Sequence, residues 1–329
     1  VINLFKTYNP LNAIWLAVLL IVLRTGYLYN APAAIQFVFV EPFARLLIPV
    51  DYEFALSPFI NILLAGIIIL IQALWFNRLV NSFNLMGRPS FLPALMYVVL
   101  TALFTPFLTL SSPLICNFLV IGMLYRLFAT YKMADAKAVA FDLGMVVALG
   151  TMLYLPFIFM FLVIWAGLMV FRPFNWREWV AAIIGFATIF FFLAVIYYLT
   201  DRLPAFTQIW LPLATSFPTK IQPISLYNYL ELIPVAIILL LCFLKVSQLF
   251  FRSYVQTRKS FQLLLVLTII AGLSFYIKKE FHLEHFLLCA VPLAVFFSYY
   301  FLYATSKWFY ESLFVLLVVG IIYFQFNTF

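Results

Sequence analysis

Runs of about 20 apolar residues recur from one end of this chain to the other, and short stretches between them gather most of the charge and asparagine. None of these runs shows the apolar–polar alternation of a barrel strand with one face in lipid. A helix of about 20 residues crosses a hydrocarbon core of ~30 Å. In lipid, a helix also satisfies its own backbone polar groups. The pattern therefore predicts an all-α, polytopic transmembrane bundle. About eleven spans are expected, at 12–29, 54–75, 91–109, 113–130, 139–155, 156–171, 178–199, 226–246, 261–277, 285–304 and 309–326. No repeat or shift of composition marks a second unit, so residues 1–329 are read as a single integral membrane domain.

The stretch 139–171 sets the topology. It is too long for one ordinary helix and holds Pro156 near its middle, so it reads as one tilted helix or as a hairpin of two short ones. Basic residues favour the cytoplasmic side of a membrane. With the hairpin and a cytoplasmic N-terminus, 13 Lys and Arg fall inside and 5 outside; with one long helix the division drops to 10 against 8. The hairpin is preferred, which puts the C-terminus in the periplasm of a bacterial inner membrane.

Composition narrows the function classes. Residues are 67% hydrophobic and 9% charged, whereas a soluble domain has roughly a quarter of its residues charged. The net charge of +8 is spread over short loops, which speaks for topology and against nucleic acid. Cys116, Cys242 and Cys289 lie inside apolar runs without metal-ligand spacing and read as small buried hydrophobes. The first run carries Arg24 and lacks a small-residue cleavage site, so it is expected to stay as a helix and not be cut as a signal peptide. Phe171-Arg172-Pro-Phe-Asn-Trp176-Arg177-Glu178-Trp179 reads as an interfacial anchor with its arginines on phosphates, and the loop 76–90 as a capped, solvated connector.

Candidate chemistry gathers on the side expected to be periplasmic. Between the first two runs lie Glu41, Arg45, Asp51 and Glu53. Arg24 and Glu231 sit near the outer ends of their spans, and Lys278, Lys279, Glu280, His282, Glu284 and His285 form one outer loop. A carboxylate there can take a proton from an acceptor as general base, and cations can hold a phosphate at headgroup level. Asp51 and Glu53 are the catalytic candidates; Arg24, Arg45, Glu231, Lys278, Lys279, His282 and His285 are the substrate-binding ones. The competing reading is internal pairing, with Arg24 neutralised by Glu231 or Asp51. His282 and His285 share a helical face, but without a second ligand pair no metal is assigned, and no cofactor is called for.

Two resemblances follow from particular stretches. The Asn9-Pro-Leu-Asn12 start and the Phe171–Trp179 segment resemble an uncharacterised family of multipass proteins from Bacteroidota, which implies no activity. Gln256-Thr-Arg258-Lys259, an apolar span, Lys278-Lys279-Glu280 and Glu284-His285 through Pro292 are similar to the late helices of GT-C glycosyltransferases. That resemblance implies a polyprenyl-phosphate-linked sugar donor and essential carboxylates in the first outer loop, where Asp51 and Glu53 match. The match departs in having Asp-Tyr-Glu where those enzymes have adjacent acidic residues, and in its short outer loops. Three functions are weighed: a GT-C-like transferase on the periplasmic face, a non-catalytic subunit of an envelope-biogenesis or protein-export assembly, and a transporter or flippase. Membrane lipids are the expected partners, with polyprenyl phosphate for the first and further membrane subunits for the second.

Overall fold

A computed structural model describes residues 1–29, 57–208, 210, 220–221, 229–230, 232–249, 253–277 and 280–326. Its helices are α1 (Ile2–Phe5), α2 (Asn12–Val22), α3 (Thr25–Tyr29), α4 (Pro58–Ser82), α5 (Leu92–Leu100), α6 (Ser112–Ala129) and α7 (Lys137–Leu153). The second half adds α8 (Met160–Phe171), α9 (Trp176–Leu199), α10 (Leu203–Gln208), α11 (Leu232–Leu249), α12 (Val255–Leu273), α13 (Leu287–Tyr303) and α14 (Lys307–Phe326). Among the described residues the only strand pairing is a two-residue parallel bridge, Lys220–Ile221 with Glu280–Phe281. Among the described residues, six helical segments are long and apolar enough to cross a membrane: Pro58–Ser82, Ser112–Ala129, Trp176–Leu199, Val255–Tyr276, Leu283–Tyr303 and Lys307–Phe326. The other expected spans correspond to shorter or broken helices, so six is the number of crossings that helix length and composition alone support.

The bundle is built around α13 and α5. Every residue of α5 is buried, and α13 is buried along nearly its whole length despite Pro292. The helices α4, α6, α11 and α12 pack around this pair. Among the polar groups inside the bundle, Gln72, Tyr97 and Asn117 satisfy one another. The Tyr97 hydroxyl donates to Gln72 Oε1 at 2.8 Å, and Asn117 Nδ2 donates to Tyr97 Oη at 3.1 Å and to the Leu287 carbonyl at 3.0 Å. Gln72 Nε2 closes the chain on the Leu114 carbonyl at 2.7 Å. Buried amides survive in such a setting because each finds a partner from a neighbouring helix.

The stretch 139–171 is a hairpin. Tyr154 adopts an extended conformation that ends α7, a 3₁₀ turn with Pro156 in its first turn follows, and Phe157 folds back against Gly150. Helix α9 then runs parallel to α7: Ala136 meets Glu178 at one end, and Met152 lies with Leu193 and Tyr197 at the other. The two helices touch backbone to backbone. A Cβ on Gly144 would lie 2.0 Å from the Ala182 carbonyl oxygen, and one on Gly185 would lie 2.1 Å from that of Phe141. Without a hydrophobic drive between helices in lipid, close packing of this kind supplies the adhesion. Two of only ten glycines thus serve a single crossing.

The ends of the helices alternate, as the spacing of the runs predicts. One end gathers the N-terminus, the 83–91 turn, the 130–136 loop, the 172–175 link and the 304–306 link. The 83–91 turn is fixed to the bundle, unlike a solvated connector. Asn81 bonds both the amide and the carbonyl of Ser90, Arg88 reaches the Leu302 carbonyl, and Tyr303 donates to the Met86 carbonyl. The reading of Arg172 as a phosphate anchor is also corrected. Its guanidinium forms a bidentate pair with Glu178 at 2.9 and 3.0 Å and reaches the carbonyls of Thr130, Met133 and Ala134. The loop between α6 and α7 needs donors for its carbonyls, and Arg172 supplies them while Glu178 neutralises it. Trp176 and Arg177 do remain exposed at this end.

A candidate site at the opposite end of the bundle

The first apolar run does not form one helix. It breaks at Leu23–Arg24, between α2 and α3. Gln325 of α14 donates to the freed Leu23 carbonyl at 2.6 Å, and the Thr25 hydroxyl donates to that of Val22 at 2.8 Å. Non-helical backbone at membrane depth is tolerated where protein groups satisfy it in this way. The break turns Arg24 inward, where the residue is 4% exposed.

Arg24 Nη1 donates to the Ile62 carbonyl at 2.8 Å and to the Leu108 carbonyl at 2.9 Å. Leu108 closes the 3₁₀ turn Thr105–Leu108 in the non-helical segment 101–111 that follows α5. The Leu110 amide donates to Asn61 Oδ1 at 2.8 Å, so α4 and Arg24 together hold that segment. Neither Glu231 nor Asp51 lies among the described residues, and within those residues Arg24 meets carbonyls and no carboxylate. A buried arginine at membrane depth is expensive, which makes Arg24 a functional candidate.

Arg24 also lines a cleft of about 430 Å³ between α2–α3 and α4. One wall carries Ala17, Leu20, Ile21 and Leu28; the other carries Phe59, Ile62, Leu63, Gly66, Ile67 and Leu70. The lining is apolar except for the guanidinium. A Cβ on Gly66 would stand 3.3 Å from Leu20 and 3.6 Å from Arg24 Nη1, so this glycine lets α2 and the guanidinium lie close against α4 at the floor of the cleft. The charge itself was legible in the sequence. The cleft was not, although both walls follow the three- and four-residue spacing of a helix face.

The histidines separate. His285 is buried, with Nε2 2.7 Å from the Ala271 carbonyl and Nδ1 2.7 Å from the Tyr154 hydroxyl. A carbonyl only accepts, so Nε2 carries hydrogen and Nδ1 receives the Tyr154 proton. Ser274 lies 3.2 Å from Nε2. In this geometry His285 ties the 154–159 turn and the end of α12 to the start of α13. His282 precedes the 3₁₀ turn Leu283–Phe286 and is partly exposed. That turn packs against the 105–108 turn held by Arg24. Arg24 and the His282–His285 loop therefore belong to one end of the bundle. Asp51, Glu53, Arg45, Glu231, Lys278 and Lys279 lie outside the described residues. At the opposite end Asp142 stands 3.8 Å from Arg126, both exposed, and has no part in this group.

A helical bundle with six segments of membrane-crossing length among the described residues defines a multipass membrane protein. The chain belongs to a family of unknown function (DUF6427), whose model matches residues 32–329. It matches no curated protein and no solved structure.

Proposed function

We propose that this protein transfers a glycosyl group from a polyprenyl-phosphate-linked sugar at the periplasmic face of a bacterial inner membrane, in the manner of a GT-C enzyme. The observation that carries the reading is the shared location of Arg24 and the Glu284–His285 turn at one end, opposite the end with most of the basic residues. By the charge rule that basic end is cytoplasmic, which places the N-terminus inside and, over eleven crossings, the C-terminus outside. In the reaction, Asp51 takes the proton of an acceptor hydroxyl as its oxygen bonds to the anomeric carbon. The bond from that carbon to the phosphate oxygen breaks, and polyprenyl phosphate leaves with the electron pair. Cations at this end, Arg24 among them, balance the phosphate charge.

The test is transfer in proteoliposomes containing the whole protein and a polyprenyl-phosphate hexose with a labelled sugar. Transfer that disappears in Asp51→Asn and weakens in Glu53→Gln supports the reading; equal transfer by both variants and the parent ends it. A second reading, a non-catalytic subunit of an envelope-biogenesis assembly, is favoured by a different observation. The polar groups of the interior that are described here (Gln72, Tyr97, Asn117, His285, Arg172 and Glu178) are committed to holding the fold. Co-purification of a stoichiometric membrane partner, with no labelled lipid turned over, selects that reading.

A further inference from the structure

The geometry points to the cleft between α2–α3 and α4 as a laterally open site for a single lipid chain whose phosphate is held by Arg24; this deepens the reading above and rests on it. Three observations converge. The first is charge: Arg24 has two carbonyl partners, both on Nη1, and Nε and Nη2 have no hydrogen-bond partner among the described residues. Guanidinium donors in a fixed fork fit a phosphate well.

The second is shape. The wall from Phe59 to Leu70 is about 16 Å long at the helical rise, close to half of a ~30 Å hydrocarbon core. The cleft thus runs the depth of one leaflet, and its lining is aliphatic apart from Phe59 and the guanidinium. The third is the exposed apolar rim. Ile14, Val18 and Ile21 on α2, and Phe59, Leu63 and Ile67 on α4, remain uncovered. A chain can therefore slide in sideways from lipid without passing through water. Gly66 lets the guanidinium lie close against α4 at the floor of the cleft.

The experiment uses the full chain in nanodiscs and measures binding of a long-chain polyprenyl monophosphate, with the corresponding polyprenol and phosphatidylglycerol as comparison ligands. Leu63→Trp fills the cleft from its exposed rim and leaves in place the carbonyls that Arg24 holds; it is expected to weaken the monophosphate about tenfold or more with unchanged thermal stability. Arg24→Lys keeps the charge but loses the fork, with an expected loss of about tenfold. Full-strength binding by Leu63→Trp overturns the cleft assignment while leaving the transferase reading standing. Equal binding of monophosphate and polyprenol by the parent protein overturns the assignment of the phosphate to Arg24. If phosphatidylglycerol binds as tightly as the monophosphate and Leu63→Trp weakens both, the cleft is a phospholipid site and the donor reading falls instead.

Discussion

Two buried arginines sit at opposite ends of this bundle and are treated in opposite ways. Arg172, with 9% of its side chain exposed, has a carboxylate from Glu178 in bidentate register and three loop carbonyls around it. Arg24 is equally secluded, yet it has two carbonyls, no carboxylate among the described residues, and an apolar cleft at its side. A buried cation whose charge is cancelled and whose donors are occupied is a structural fastening. One that lines an apolar cleft and, among the described residues, meets only carbonyls is the better placed of the two to meet an anion from outside the chain. The difference also shows in the fold around each. The first arginine closes the link between α6 and α7 and fixes the start of α9, whereas the second holds the 101–111 segment by a backbone carbonyl.

That contrast can be broken or sharpened by substitution. The largest expected effect is at Glu178. Glu178→Gln leaves the Arg172 cation buried and unneutralised, and breaking such a pair costs about 3–5 kcal/mol. Melting in detergent should drop steeply, and Arg172→Met combined with Glu178→Leu should recover part of the loss. An unchanged melting temperature for Glu178→Gln would falsify the view of this pair as a fastening.

Next comes the α7–α9 crossing. Gly144→Leu forces a side chain into the backbone of Ala182, a clash expected to cost about 1–3 kcal/mol or more. Leu63→Trp, at an exposed position on the cleft rim, should leave stability as it is. Equal melting of the two variants would erase the distinction between a packed crossing and an open cleft.

Arg24→Met should cost less than Glu178→Gln, on the order of 1–2 kcal/mol, because it loses hydrogen bonds from a charged group but also removes a buried charge. Hydrogen exchange in 101–111 should rise in that variant, since the Leu108 carbonyl loses its donor. A loss as large as that of Glu178→Gln would mean Arg24 is as structural as Arg172. The smallest effect belongs to Tyr154→Phe, which removes one hydrogen bond to His285 and should cost about 1 kcal/mol. Should Tyr154→Phe abolish glycosyl transfer while leaving melting untouched, His285 would have to be moved from fastening to chemistry.

Much of the fold was legible in the chain because it depends on one-dimensional quantities. Apolar runs of about 20 residues gave the helices. Pro156 and the distribution of Lys and Arg separated a hairpin at 139–171 from one long helix, and Tyr154 supplies the turn. The three cysteines are buried, as their apolar surroundings indicated. The interfacial anchor at Phe171–Trp179 was only half right: Trp176 and Arg177 are exposed, but Arg172 faces a carboxylate six residues on and carbonyls some forty residues back. No local pattern distinguishes an arginine that reaches outward from one that turns inward.

What the sequence determined by itself is the medium, the helical character and the order in which helix ends alternate, because hydropathy, length and charge act residue by residue. Tertiary structure alone decided where the first run breaks, which carbonyls Arg24 meets, and that an apolar cleft lies beside it. Those features depend on Gln325, Asn61, Ile62 and Leu108 arriving from distant parts of the chain, and long-range partners of that kind leave no spacing to read. The crossing at Gly144 and Gly185 was concealed for the same reason. Two small residues matter only once the fold has set them opposite a neighbour's backbone.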